Sequence, residues 1–250
     1  MKVKAFITAA GMGKRFGFLT HRVNKSLMKV EGKPLVAHIV DKLQKSGIRE
    51  IYVATGYQSH QLERCLANRA GCVFNPFYKV AGILGSFWEA RFHLEGNAFI
   101  FTTSDHFFHP SVLKGCLKGG ADIRVVVQKK QRYTKEDAKV ILRGSEVVDL
   151  GKDLPVDGAD GEFGGMACFS AKASALFFKE LRSHFDKGEL GGYMMGILKA
   201  IRQKHNLPIR YSLCGENTRI EVDSVHDLIA ARSMAKSFDA SRRAGLARPR

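Results

Sequence analysis

The segment from Ile7 to Pro34, ITAAGMGKRFGFLTHRVNKSLMKVEGKP, constrains this chain more than any other. An apolar strand (Val3, Ala5, Phe6, Ile7) runs into a turn of small residues, Ala9, Ala10 and Gly11, followed by Gly13, Lys14 and Arg15. Small residues let a backbone approach a ligand closely, and successive main-chain N–H groups in such a turn form a nest for anions. Arg15 and, further on, Lys25 add cations suited to phosphate oxygens. The pattern predicts a strand and loop that grip a triphosphate, with Gly32, Lys33 and Pro34 opening the next helix. It fits neither of the two commonest phosphate loops. Thr8 stands where a Walker loop has its first glycine, and Gly11, Gly13 and Gly17 are spaced one residue too long for the dinucleotide fingerprint. The alternative is a glycine-rich turn that only connects a strand to a helix.

With 250 residues, 45% of them hydrophobic, the chain can bury a full core. The expected organisation is one domain over residues 1–236 and a basic tail, 237–250, that lacks periodicity and frays. The longest apolar runs are strand-sized, so no membrane span is expected. The chain enters a strand almost at once, without a basic and apolar leader, which predicts a cytoplasmic protein. The five cysteines, Cys65, Cys72, Cys116, Cys168 and Cys214, are scattered without a C-x-x-C pair. They read as buried thiols rather than zinc ligands or disulfides. A net charge of +16 raises a nucleic-acid-binding reading. No nucleic-acid signature accompanies it, and a basic surface equally suits an enzyme whose substrates are polyanions.

Strand and helix patterns alternate, predicting an α/β fold with a largely parallel sheet. Strands are expected at Val3–Ala9, Ile51–Thr55, Cys72–Phe74 and Ala98–Thr103, and helices at Pro34–Ser46, Gln58–Ala70 and Gly85–Leu94. The second half is more antiparallel in style, with strands at Ile123–Gln128, Lys139–Leu142, Val147–Leu150, Gly164–Phe169, Pro208–Leu213 and Arg219–Val222. Helices are expected there at Ala171–Ser183, Gly192–His205 and, capped by Ser224, to about Ala235.

In open α/β sheets, ligands sit beyond the carboxyl ends of the strands. Asp105 follows the apolar strand from Ala98, and Asp223 follows Ile220-Glu221-Val222. Two carboxylates at strand ends suit Mg²⁺, which takes a few carboxylates together with phosphates and water. Each also has a structural reading, Asp105 as a turn cap and Asp223 as the cap of the last helix. His106 and His109 form H-x-x-H without a third clustered ligand, so a supporting or acceptor-contact role fits His106 better than metal ligation. Phe87 and Trp88 read as core residues before they read as a cage for a quaternary amine. Lys129-Lys130 reads as a solvated strand end.

The ordered motifs resemble the nucleotidyltransferases of the sugar-nucleotide pyrophosphorylase and molybdopterin guanylyltransferase-like superfamily, with A-A-G-x-G-x-R, then a lysine in x-K-[PS]-L, then G-K-P. Within it, TTSDHFFHPSVL at Thr102–Leu113 resembles the CTP:inositol-1-phosphate cytidylyltransferases. IEVDSVHDL at Ile220–Leu228 is similar to the choline-phosphate cytidylyltransferases. NPFY at Asn75–Tyr78 and GSFWEAR at Gly85–Arg91 resemble their base-side segment, and Gly161–Gly165 their acceptor side. The resemblance spans Val3 to about Ala235. It implies a Rossmann-like three-layer α/β/α nucleotidyltransferase fold, that of nucleotide-diphospho-sugar transferases, with a mixed, mainly parallel central sheet. It implies transfer of CMP from CTP to a small phosphorylated alcohol, with inositol 1-phosphate first and phosphocholine or an alkylphosphonate next. Ala9, Ala10, Gly11, Gly13, Gly85, Ser86 and Ser104 would contact the nucleotide. Arg15 would hold the departing phosphates and Lys25 the reacting ones, Asp105 and Asp223 would hold Mg²⁺, and His106, Glu162 and Tyr193 would border the acceptor. Several relatives carry Asn near the positions of Gly82 and Ile83, and this chain does not. A sugar-1-phosphate nucleotidyltransferase using UTP or dTTP is therefore the second reading.

Overall fold

In the computed structural model, which describes residues 2–13, 16 and 23–246 (backbone alone from 239 on), the chain opens with β1 (Lys4–Thr8). A 3₁₀ turn at Lys25–Leu27 leads into a small hairpin, β2 (Lys29–Val30) and β3 (Lys33–Pro34). Next come α1 (Leu35–Lys45), β4 (Ile51–Thr55), α2 (Ser59–Leu66), β5 (Gly71–Phe74), α3 (Gly82–Glu89), α4 (Arg91–Leu94) and β6 (Phe99–Thr103). Helix α1 follows directly from its sequence. Leu35, Val36, Ile39, Val40 and Leu43 fall on one face and are buried, while Lys42 and Lys45 sit in the last turn, where cations complement the helix dipole. Strands β5, β4, β1 and β6 are hydrogen-bonded in that order and all parallel.

Beyond β6 lie β7 (His106–Phe108), α5 (Pro110–Cys116), β8 (Ile123–Gln128), β9 (Lys139–Arg143), β10 (Glu146–Gly151), β11 (Gly161–Phe169), α6 (Ala171–Asp186), α7 (Met194–His205), β12 (Ile209–Leu213), β13 (Arg219–Glu221) and α8 (Val225–Leu246). Among the described residues, nine strands form one sheet in the order β5-β4-β1-β6-β11-β8-β12-β10-β9. Only β11 and β10 run against the others, so the sheet is mixed and mainly parallel. The first residues of β11 also pair with β9, Gly161 with Val140 and Glu162 with Lys139. The second half of the sheet thus curls back on itself, while the later residues of β11 pair with β6. β7 and β13 form a separate antiparallel pair.

Alternation along the strands sorts the core into two layers. Phe6, Phe99 and Phe101 face α3, α6 and α7, whereas Ala5, Ile7 and Ile100 face α1, α2 and α5. The fully buried ring of Phe87 touches Phe6, Phe101 and Phe177, at centroid distances of 5.0, 5.1 and 4.7 Å. Burying one such side chain stabilises the fold by about 1.5–3 kcal/mol.

Several boundaries differ from the sequence expectation. α3 starts at Gly82 rather than Gly85, and β11 starts at Gly161 rather than Gly164. β7 and helix α5 were not anticipated, because each is too short to show a period; β13 was expected as a strand, but not its pairing with β7. α8 continues to Leu246, past the expected end near Ala235 and into the expected tail. Phe238 explains the extension, since its ring stacks on Phe107 at 5.9 Å and meets His109 at 4.8 Å. No helix among the described residues is long and apolar enough to cross a membrane.

Candidate active site

The small-residue loop leaves β1 at the carboxyl edge of the sheet. Asn24, fully buried, fixes its return: its amide donates to the carbonyls of Ala9 (3.1 Å) and Tyr57 (2.8 Å). Asn24 Oδ1 accepts from the Ser26 amide at 2.9 Å and caps the 3₁₀ turn that carries Lys25. Ser26 and Ser104 share a 2.7 Å hydroxyl–hydroxyl bond, and the Ser104 amide donates to Thr8. Around this frame lies a cavity of about 330 Å³ lined by Ala9, Ala10, Gly11, Gly13, Lys25, Ser86, Ser104, Asp105 and Asp223, among others. Gly85 does not line it. A Cβ there would lie 2.7 Å from that of Ala81, so its smallness serves packing inside α3, and Tyr78, Gly82 and Ile83 border the cavity instead. Arg15, expected to grip phosphates, lies outside the described residues.

Asp105 and Asp223 converge as expected. Lys25 Nζ donates to Asp105 Oδ2 at 3.0 Å and is ion-paired with Asp223 Oδ1. The Val222 amide donates to the Asp105 carbonyl at 2.8 Å, tying the two carboxylate-bearing segments together. Ser224 rather than Asp223 caps α8: its hydroxyl accepts from the Asp227 amide and donates to the Asp227 carboxylate. Burial pushes the Lys25 ammonium down, but the two carboxylates outweigh it and leave its pKa raised. Burial pushes the Asp105 carboxyl up, while the basic groups of His106 and Lys25 pull it further down, below the usual carboxylate range.

His106 is buried and held at both ring nitrogens, by the Thr103 hydroxyl at Nδ1 (3.0 Å) and by Arg219 Nη2 at Nε2 (2.8 Å). A guanidinium only donates, so Nε2 accepts and the ring proton sits on Nδ1. Among the described residues, Asp105, His106 and Glu221 bring ligand atoms within 4.8 Å of one another, a grouping able to hold a metal. Arg219 already satisfies two of the three, lying 2.8 Å from His106 and 3.7 Å from Glu221. The donor set that fits Mg²⁺ is instead the hard oxygens of Asp105 and Asp223. Asp105 Oδ1 is buried without a hydrogen-bond partner among the described residues, a cost that a cation would remove. His109 turns away and caps α5 by accepting from the Ser111 amide, so the H-x-x-H pair does not converge.

A second cavity of about 370 Å³ adjoins the first and shares Ile83, Thr103, Asp105 and Asp223 with it. His106, Glu162 and Tyr193 line it. Glu162 is 2.7 Å from Lys130, which also reaches Asp137 at 3.1 Å. Lys130 is therefore a wall residue of this cavity rather than a solvated strand end. Gly165, at φ +66°, backs His106 so closely that a Cβ would land on the imidazole ring. Phe87 is core, and Trp88 carries the Arg91 guanidinium at 4.3 Å over its ring, so neither forms an open cage. Asn24, Lys130 and Arg219 were missed as site residues. Arg219 had a signal, because Arg219 and Glu221 alternate with Ile220 and share one face of a strand.

A parallel half-sheet, a small-residue loop at its carboxyl edge and paired carboxylates at strand ends match a nucleotidyltransferase fold. The chain belongs to the MobA-like NTP transferase domain family, whose model matches residues 5–245. It is 31% identical over 86 residues to the choline-phosphate cytidylyltransferase of Streptococcus pneumoniae, covering 31% of this chain and 38% of that protein. It is 30% identical over 128 residues to the 2-aminoethylphosphonate cytidylyltransferase of Lancefieldella rimae, covering 47% of this chain and 51% of that protein. The chain thus spans about half or less of the length of these curated relatives. The inositol-1-phosphate CTP transferase of T. maritima shares the fold, with a TM-score of 0.75 and 21% identity over 94% of this chain and 96% of that one.

Proposed function

We propose that the protein transfers CMP from CTP to the phosphate of a small phosphorylated alcohol and releases pyrophosphate. The observation that carries this reading is that two cavities share a wall that includes Asp105 and Asp223, with Lys25 paired to both carboxylates from the first cavity. A nucleotide in the first cavity and an acceptor in the second would face each other there. The acceptor oxygen attacks the α-phosphorus in line, and pyrophosphate leaves opposite. A phosphate oxygen is already ionised at neutral pH, so no general base is required, in keeping with a His106 whose Nε2 is taken by Arg219. Catalysis then rests on positioning and charge neutralisation. The loop from Ala9 to Gly13 binds the nucleotide, and Lys25 stabilises charge growing on the reacting phosphates. Mg²⁺ held by Asp105 and Asp223 would neutralise phosphate charge at the same point.

The acceptor cavity favours a neutral, hydroxyl-rich alcohol. Beyond Asp105 and Asp223, its carboxylates already face protein donors: Asp137 and Glu162 face Lys130, Glu136 lies 4.0 Å from Lys152, Glu221 faces Arg219, and Asp227 bonds Ser224 and the Asp223 amide. Lys152 lies 5.1 Å over the Tyr193 ring. A trimethylammonium or amine would meet two lysines and a covered ring, whereas hydroxyls can bond both members of such ion pairs. Inositol 1-phosphate is accordingly the first acceptor, ahead of phosphocholine and alkylphosphonates. Gly82 and Ile83 border the nucleotide cavity without a side-chain amide, which favours as second reading a sugar-1-phosphate nucleotidyltransferase using UTP or dTTP. A thermal-shift comparison of the four nucleoside triphosphates with Mg²⁺ tests nucleotide choice, because selective binding stabilises the native state. CTP should give the largest shift, and equal shifts from all four would remove the cytidylyl reading.

A further inference from the structure

Lys139 is the first residue of β9 and is fully buried, yet its ammonium meets no carboxylate within ion-pair distance among the described residues. It donates instead to four main-chain carbonyls, of Lys152 (2.8 Å), Asp137 (3.1 Å), Lys135 (3.2 Å) and Thr134 (3.4 Å). A buried ammonium is costly unless it is fully hydrogen-bonded, and three N–H groups shared among four carbonyls satisfy it as such oxygens satisfy a bound cation. The register places it opposite Glu162 of β11 and Gly151 of β10, where three strands meet beside the second cavity.

Two of the four carbonyls belong to residues that line that cavity, Asp137 and Lys152, beside Glu136 and Ala138, and the other two, of Thr134 and Lys135, lie just before them in the same turn. The Thr134 amide donates to Asp137 Oδ2 at 2.8 Å and closes the turn, which sets Asp137 against Lys130 and so Lys130 against Glu162. Lys152, held through its carbonyl, covers Tyr193 with its side chain. None of these residues lines the nucleotide cavity.

We propose that Lys139 is a positioning residue for the acceptor: its buried ammonium pins the Thr134–Asp137 turn and Lys152 into one wall, without itself touching substrate. The proposal rests on reading the second cavity as the acceptor pocket. Removing the ammonium frees four carbonyls and loosens one wall of the second cavity, away from the nucleotide cavity. A misplaced binding wall weakens the ligand it contacts and leaves the other site alone.

The test compares wild type with Lys139→Met in three readouts: amide hydrogen exchange at 134–138 and 152, the Kd for CTP with Mg²⁺, and the KM and kcat for inositol 1-phosphate by pyrophosphate release. The expected result is faster exchange in that wall, a CTP Kd changed less than about two-fold, and an acceptor KM raised about ten-fold or more with kcat largely kept. Added ethylammonium should restore part of the acceptor KM in Lys139→Ala, because it can refill the carbonyl cage. Unchanged exchange, an unchanged KM, or a CTP Kd weakened as much as the KM would overturn the proposal. If the buried-site variants fail to fold, Asp137→Ala on the same turn should raise the acceptor KM, and an unchanged KM there overturns the proposal equally. A wild type inactive on inositol 1-phosphate and on every other phosphorylated alcohol contradicts the proposed function instead. Exchange and CTP affinity then still decide what Lys139 does.

Discussion

Asp105 and Asp223 share one ammonium: Lys25 Nζ lies 3.0 Å from Asp105 and is ion-paired with Asp223. Two carboxylates at one point repel unless a cation lies between them. Lys25 fills that place. Under the proposed function the same ammonium would face the reacting phosphates, and Asp105 and Asp223 would hold Mg²⁺.

Lys25→Ala should therefore lower turnover by about 10²–10³-fold, the usual loss when a group aimed at developing charge is removed. Nucleotide affinity should fall far less. Steady-state kinetics at saturating substrate, with CTP titrated separately, checks both. Near-native turnover would show that Lys25 only spaces the carboxylates.

Asp105→Asn and Asp223→Asn should each abolish metal-dependent turnover while the melting temperature stays within a few degrees of wild type. Each amide keeps the shape of its carboxylate, and each removes one of two like charges. Circular-dichroism melting beside the activity assay separates this from unfolding. Full activity in either variant would take that residue out of the site.

The small-residue loop after β1 was legible because its information is local: small residues at fixed offsets after an apolar strand. Asp105 was legible for the same reason, as the polar residue that ends a buried run. Lys130 was not, because its role depends on how β11 lies against β8, where Glu162 pairs with Gln128 in a register that no local period encodes. The start of α3 was not legible at Gly82 because it depends on the preceding turn, whose Val80 and Ala81 amides bond the Phe77 carbonyl. The length of α8 depends on Phe238 finding Phe107, a contact between residues far apart in the chain. Arg219 and Glu221 showed their alternation, but only the structure brings them to His106.

Lys42 provides a pH test away from the site. Burial lowers its pKa from 10.5 to about 8; Asp41 opposes that and Lys33 and Lys45 add to it. The ring faces of Phe107 and Phe108, 4.7 and 5.1 Å from Nζ, offset only part of the cost. The unfolded chain binds the proton more tightly, so wild-type stability should rise as pH climbs from about 8 toward 10.5. Lys42→Met should be more stable at pH 7, by about 2 kcal/mol, and should lose that advantage near pH 10. Urea denaturation at the two pH values measures the difference, and an advantage independent of pH would contradict the assignment.

Gly165→Ala should destabilise the protein and lower activity together. Left-handed backbone costs a residue with a Cβ about 1–2 kcal/mol, and the new methyl would displace the His106 ring. Gly119→Ala, where a Cβ meets open space, should change stability by less than about 0.5 kcal/mol. Paired melting curves decide the point, and equal effects at both glycines would mean that the close approach to His106 is unimportant.

The most direct measurement is pyrophosphate release by the purified protein with CTP, Mg²⁺ and inositol 1-phosphate, run beside Asp105→Asn and Asp223→Asn. The two-cavity account predicts release that requires both substrates and the metal, forms the cytidine diphosphate ester of the alcohol, and disappears in both variants. Release that continues without an acceptor, or that survives loss of both carboxylates, would contradict it.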